Sequence, residues 1–217
     1  MSESRLICII GPDGAGKSTQ ADMLLELLSN HGHDCEYRWL GFNHYLSLPL
    51  LGVARLIGLS EIETLDSGRE VGYHHFERSK ILTKLYPVLL LVDTLLAYLI
   101  AVAWPRSQLG KSLVCDRFIH DTVVNIMLSI DQPDFIDTAV CNLFFRLIPD
   151  DAEVFVLLAD EDTLRDRRDD VEADRNISEK IQYYQILADR LDLPVIDSSK
   201  SPESIHHEIQ AQLRREH

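Results

Sequence analysis

Nine residues near the start of the chain constrain it more than any others. Gly11-Pro12-Asp13-Gly14-Ala15-Gly16-Lys17-Ser18-Thr19 fits G-x-x-x-x-G-K-[ST], the pattern of a phosphate-binding loop. The apolar run Leu6-Ile7-Cys8-Ile9-Ile10 precedes it and reads as a buried strand. Gln20 to Leu28 follows it and reads as an amphipathic helix. Strand, glycine-rich loop and helix together give the pattern a mechanism. The glycines let the backbone curl so that successive N–H groups point inward at phosphate oxygens. The helix adds its positive N-terminal end. In that arrangement Gly11, Pro12, Asp13, Gly14, Ala15, Gly16, Lys17, Ser18 and Thr19 cradle a nucleotide. Lys17 reaches its terminal phosphates and the Ser18 hydroxyl takes Mg²⁺.

The sequence of 217 residues is long enough for one α/β domain with a full core. It holds 35 acidic and 21 basic residues, a net charge of −14, which disfavours a nucleic-acid or anionic-membrane partner. An anionic nucleotide then needs a local cluster of cations and N–H groups. Cys8, Cys35, Cys115 and Cys141 have no metal-ligand spacing and read as reduced thiols of a cytoplasmic protein. The first strand begins almost at the first residue, so no signal peptide is expected.

Four further strands are expected, at Cys35–Leu40, Ser112–Asp116, Glu153–Leu158 and Pro194–Asp197. Ligands bind beyond the carboxyl ends of parallel strands, so Arg38 is either a phosphate contact or an exposed edge arginine. Asp116 ends an apolar strand, where it either holds Mg²⁺ or caps the next helix. Residues 42–60 read as short helices over the site or a lid, and Ser60 to Arg69 as a polar stretch with a loop around Asp66-Ser67-Gly68. Gly72 to Lys80, with His75 and Arg78, reads either as an acceptor-facing cluster or as the solvated first turn of a helix. Tyr86 to Pro105 is apolar and long enough to span a bilayer, with Asp93 its only charge. Spanning would divide the sheet between two sides of a membrane. A helix buried in the fold or in a subunit interface is expected instead, with membrane-surface contact the lesser alternative. Phe118–Ile130 and Phe135–Ile148 are expected helices. Arg165, Arg167, Arg168 and Arg175 lie in a charged stretch at about 165–176, which reads as a solvated loop or a mobile lid.

Asp13 to Thr19, Asp116-Arg117-Phe118, the arginine-rich segment ending Asp174-Arg175, and Val195-Ile196-Asp197-Ser198-Ser199 occur in the order and spacing of thymidylate kinase. The chain resembles that group of P-loop kinases over most of its length, least over residues 40–108. The resemblance implies a three-layer fold, a five-stranded parallel sheet with helices on both faces, as one domain over residues 1–217. It implies a helical acceptor-side segment at about 42–108. It also implies MgATP as phosphoryl donor and a homodimer. Asp13 would meet the acceptor's sugar hydroxyl, Arg117 a phosphate near the transfer point, and Ser199 the adenine pocket. Ala15 stands where some members carry an arginine, so the catalytic cations would be Lys17 and Arg117 with the lid's Arg165, Arg168 and Arg175. The acceptor half departs from the family: Arg38-Trp39-Leu40-Gly41 replaces its loop, Asp93-Thr94 its Asp-Arg pair, and Asn125-Ile126 its base-reading Tyr-Gln. The expected activity is phosphoryl transfer to a nucleoside monophosphate such as dTMP, with a more apolar acceptor or a non-catalytic nucleotide-binding module as alternatives.

Overall fold

The computed structural model describes residues 4–41, 44–64, 70–167 and 174–214. Its strands are β1 (Leu6–Ile10), β2 (Cys35–Trp39), β3 (Ser60–Thr64), β4 (Glu70–His74), β5 (Ser112–Asp116), β6 (Ala152–Leu158) and β7 (Val195–Asp197). Five of them form one parallel sheet in the order β2-β5-β1-β6-β7. The helices are α1 (Lys17–Asn30), α2 (Leu48–Leu56), α3 (Lys80–Tyr98), α4 (Trp104–Leu109), α5 (Ile119–Ile130), α6 (Ala139–Phe145), α7 (Glu161–Arg167), α8 (Ile177–Leu191) and α9 (Pro202–Leu213).

β1 lies at the centre, and all five of its residues are buried. Side chains alternate across a strand. Leu6, Cys8 and Ile10 therefore pack with residues of α3, α5, α6 and α8, such as Leu90, Met127, Phe144 and Leu187. Ile7 and Ile9 pack on the other face with Leu24 and Leu28 of α1, Leu164 of α7 and Ile209 of α9. The result is three layers, an α/β fold with helices on both sides of the sheet. β1 and β5 are neighbours in register, Cys8 opposite Cys115, yet they feed helices on opposite faces. A crevice opens at such a divergence, and ligands bind there.

Two expectations are corrected. Ser60–Thr64 and Glu70–His74 form an antiparallel hairpin, with Ser60 opposite His74, where the second segment was expected as an acceptor-facing cluster or a helical first turn; the loop expected around residues 66–68 lies outside the described residues. The helix starts only at Lys80, where the Ser79 hydroxyl accepts a bond from the Leu82 N–H. The stretch 133–148 is a 3₁₀ turn, Pro133–Asp137, and then α6, divided at Thr138, whose hydroxyl caps α6 by accepting from the Cys141 N–H.

The long apolar stretch is one continuous helical run, α3, a π-helical turn at Leu99–Ala103 and α4. Its inner side, including Leu82, Tyr86, Leu90 and Ala97, is buried. Asp93, 0% exposed, accepts bonds from the Tyr45, Leu46 and Ser47 N–H groups at 3.0, 2.7 and 2.9 Å and from the Ser47 hydroxyl at 2.6 Å. The lone acidic residue of that run thus anchors the three residues that lead into α2, satisfying N–H groups that would otherwise lack partners.

Candidate active site

Residues Gly11 to Gly16 leave the end of β1 and turn into α1, and the turn depends on its glycines. Gly11, Gly14 and Gly16 have φ of 142°, 84° and 85°. A Cβ on Gly11 would stand 2.3 Å from the Leu157 carbonyl oxygen, so only glycine fits between β1 and β6. A Cβ on Gly16 would meet nothing within 4 Å, so the mouth of the loop is open.

The loop borders a cavity of about 590 Å³ lined by residues 13–20, Trp39, Asp116, Arg117, Arg167, Lys200, Pro202 and Ile205. Lys17 is buried and its ammonium donates to the Pro12 carbonyl at 2.7 Å. Burial, reinforced by the nearby Arg117 guanidinium, lowers its pKa to about 8. The Ser18 hydroxyl donates a short bond to Asp116 Oδ2, and the Tyr37 hydroxyl donates to the same oxygen at 3.0 Å. Burial and the Asp116 carboxylate push the Tyr37 phenol up to about 12, so it remains a donor at neutral pH.

Arg117 follows β5 in the left-handed region, φ 70°, which is costly for a residue with a Cβ. Its N–H donates to the Ile9 carbonyl at 3.0 Å. Its guanidinium pairs with Asp13 and lies 3.6 Å from Asp121. Burial opposes the charge on Arg117, but the Asp13 and Asp121 carboxylates outweigh it and raise its pKa. Burial likewise raises the pKa of Asp121, against Arg117, Lys17 and the 2.6 Å bond from the Tyr184 hydroxyl. Lys180 lies 2.5 Å from Asp174 and 3.8 Å from Asp13. Asp13 thus sits among cations contributed by β5 and α8.

A second cavity, about 570 Å³, adjoins the first, and the two share Asp13 and Trp39. Its walls come from α2, the β3–β4 hairpin, α3, α5 and α8. Aromatic rings form one side: His74 lies 6.2 Å and His44 6.5 Å from Tyr86, centroid to centroid. Burial lowers the His74 pKa to about 4, so that ring is neutral at neutral pH. Thr94, Asn125 and Ser129 add hydrogen-bonding groups, and Leu51, Ile62, Val71, Leu90 and Leu128 add apolar surface. Arg55 lines the cavity and makes no ion pair among the described residues.

The sequence-selected residues therefore divide. Asp13 to Thr19, Asp116 and Arg117 converge on the first cavity, with Gly11 and Pro12 at the base of the loop. Arg38 turns away to Glu36, and β2's alternation presents Tyr37 and Trp39 instead. His75 lies 3.7 Å from Glu77, Arg78 pairs with Glu77 at 3.3 Å, and neither lines either of these two cavities. Ser199 bonds to Asp197, while its neighbour Lys200 lines the first cavity. Arg165 bonds to Glu161, and Arg175 pairs with Glu63 at 2.9 Å and lies over the Tyr73 ring. Of the arginines in that stretch, Arg167 faces the first cavity, and Arg168 lies outside the described residues. Gly72, Tyr73 and His74 of the expected acceptor-facing cluster line the second cavity, whereas His44, Arg55 and Tyr86 were not singled out as site residues, because they come from separate stretches with no shared spacing.

Ser18 and Asp116 offer two hard oxygens side by side, and no cluster of three or more His, Cys, Asp or Glu among the described residues could hold a metal. That donor set fits Mg²⁺, which keeps most of its water and phosphate ligands.

No protein-family model and no curated protein matches the sequence. Among solved structures, the fold is similar to that of thymidylate kinase from Ehrlichia chaffeensis, with a TM-score of 0.57 and 16% identity over 98% of this chain and 99% of that one. The likeness spans the full length of both chains and is one of fold.

Proposed function

We propose that the protein is a P-loop kinase that transfers the γ-phosphoryl group of MgATP to a nucleoside monophosphate. The observation that carries this reading is the meeting of two cavities at Asp13 and Trp39, one built on a phosphate-binding loop, the other walled by rings and amides. The first cavity takes the donor. Lys17, released from the Pro12 carbonyl, neutralises the terminal phosphates together with Arg167, and Ser18 and Asp116 hold Mg²⁺, with Tyr37 fixing the Asp116 carboxylate. Bound Mg²⁺ would supply charge neutralisation across the phosphate oxygens. The second cavity takes the acceptor. Tyr86 and the neutral His74 stack against a base, Asn125 and Ser129 bond to its edge, and Arg55 meets the monophosphate. An acceptor phosphate oxygen attacks the γ-phosphorus as the bond to the bridging oxygen breaks, releasing ADP. Arg117, held by Asp13 and Asp121, faces the charge that develops there.

The test is transfer of γ-³²P from ATP to a panel of nucleoside monophosphates. A labelled diphosphate product is expected. ATP binding with no labelled product from any monophosphate would overturn the assignment. The apolar share of the acceptor wall favours one second reading, a kinase for an apolar alcohol or its monophosphate, and isoprenoid acceptors in the same panel distinguish it.

A further inference from the structure

A phosphoryl group that passes between the two cavities crosses at the residues they share, Asp13 and Trp39. Two carboxylates line the second cavity at that crossing, Asp13 from the phosphate-binding loop and Asp174 from the segment before α8. Both stand beside the path that an anionic acceptor must take, and each repels it. Lys180 lies between them. Its ammonium is 2.5 Å from Asp174 Oδ2 and 3.8 Å from Asp13 Oδ2, and its side chain also lines the second cavity.

This lysine is held at both ends. Its backbone N–H donates to the Asn176 carbonyl at 2.9 Å near the start of α8, and its ammonium donates to the buried Asp174. Asp13 Oδ1 is taken by the Arg117 guanidinium, which also faces Asp121. Charges therefore alternate across the junction in the order Asp121, Arg117, Asp13, Lys180, Asp174. Counted as ionised, three acids face two bases, an excess of one negative charge. Without Lys180 three acids would face one base, and the added excess would fall at the end that opens on the second cavity. An ammonium carries three N–H donors. Asp174 and Asp13 engage at most two of them, which leaves one for an oxygen in the cavity. Arg55 enters the same cavity from another wall, on α2.

We propose that Lys180 is an acceptor-binding residue that selects a phosphorylated acceptor over its unphosphorylated parent. Its ammonium offsets Asp13 and Asp174 and donates to a phosphate oxygen of the acceptor at the junction. The inference rests on the reading that the second cavity takes the acceptor, and it adds to that reading a residue and a discrimination. The rings and amides of the cavity wall meet the base alike in a nucleoside and in its monophosphate. Only the monophosphate brings a charge up to the two carboxylates. Lys180 therefore matters for the monophosphate and not for the nucleoside, a difference that a purely structural ion pair would not produce.

The test is equilibrium dialysis of the full chain against labelled dTMP, dAMP, dGMP and dCMP and against their parent nucleosides. Lys180→Met keeps the apolar stem and removes the charge. It should weaken the monophosphate that the wild-type chain binds best by about tenfold or more, the loss of one charged hydrogen bond. Affinity for the parent nucleoside and for ATP should change by less than about twofold, and Lys180→Arg should recover most of the loss. The melting temperature checks folding. If Lys180→Met lowers it, Lys180→Gln, which can still donate to Asp174, carries the same comparison. An unchanged monophosphate affinity, an equal loss for nucleoside and monophosphate, or a wild-type chain that binds none of the four monophosphates would overturn the proposal. Binding that responds to Lys180 as expected, with no label transferred from ATP, would instead sink the kinase reading and leave the role of Lys180 in place.

Discussion

Replacing Asp93 by Asn tests the tie between α3 and the start of α2. The carboxylate accepts four bonds, three from backbone N–H groups and one from the Ser47 hydroxyl, at 2.6 to 3.0 Å. Asn is nearly isosteric but keeps one accepting oxygen and turns an NH₂ group toward donors. Bonds to a charged acceptor contribute about 1.5–3 kcal/mol each, and the variant loses about two of them and weakens the rest. Tyr45 and Leu46 are exposed and can recover water, whereas Ser47 is fully buried and cannot. The net cost is then about 3–5 kcal/mol, a large part of the stability of an ordinary domain. Burial alone would raise the Asp93 pKa, but the bonds from Ser47 and the backbone outweigh it and hold the pKa below that of an ordinary aspartate. A depressed carboxylate pKa contributes stability above the unfolded pKa of about 4 and loses it as pH falls through the folded value. Urea unfolding followed by circular dichroism should show the variant less stable by that amount at pH 7, with the two curves converging in acid. Equal midpoints at pH 7, or a difference that does not shrink in acid, would refute this account of Asp93.

Lys17→Ala should lower kcat at least about a hundredfold with an unchanged melting temperature, read from ADP release. Because burial lowers the Lys17 pKa to about 8, the cation is lost as pH rises, so kcat/KM for ATP should fall above that pH, and Lys17→Arg should remove the decline. His120 is buried between Phe118 and Phe145, and burial depresses its pKa to about 3, so the unfolded chain takes up a proton there that the native state refuses. Its contribution is therefore complete above about pH 6.5 and reaches a loss of about 3 kcal/mol by pH 4.5, which His120→Phe should largely abolish in acid denaturation. Gly11→Ala should unfold the chain or lower its melting temperature sharply, because the new Cβ would meet the Leu157 carbonyl oxygen at 2.3 Å.

The sheet was legible because most of its strands are short apolar runs, with β2 the polar exception. β1 and β5, wholly buried, carry the strongest signal. The hairpin was not legible because β3 and β4 alternate weakly. Glu61 and Glu63 share β3 with Ile62, itself 40% exposed, so no apolar face marks the strand. The first cavity could be read because its loop is contiguous and Asp116 and Arg117 stand at the end of one apolar strand. The second cavity brings His44, Arg55, His74, Tyr86 and Asn125 together from separate elements, and no local spacing encodes that convergence. Arg38 illustrates the limit in one strand. Charge draws attention to it, but parity decides: Glu36 and Arg38 share one side of β2, and Tyr37 and Trp39 the side that reaches Asp116 and the cavities.

Parity and topology also reconcile an anion site with a strongly acidic chain. The cations that line the first cavity arrive at one point from four places: Lys17 from the start of α1, Arg117 from the end of β5, Arg167 from the end of α7 and Lys200 from the turn before α9. All four places lie at the carboxyl ends of parallel strands or in the helices and turns that follow them, where the sheet's connections diverge. A net charge is a sum over the surface, whereas the potential inside a crevice is set by the few groups that face it. Asp13 and Asp121 do not cancel that potential. By pairing with Arg117 they hold a guanidinium in a buried, left-handed position that it would not otherwise occupy, directed at the junction of the two cavities. Their two charges fix the one cation whose placement the backbone alone disfavours, and Lys17 and Arg167 carry the positive potential of the remainder of the cavity.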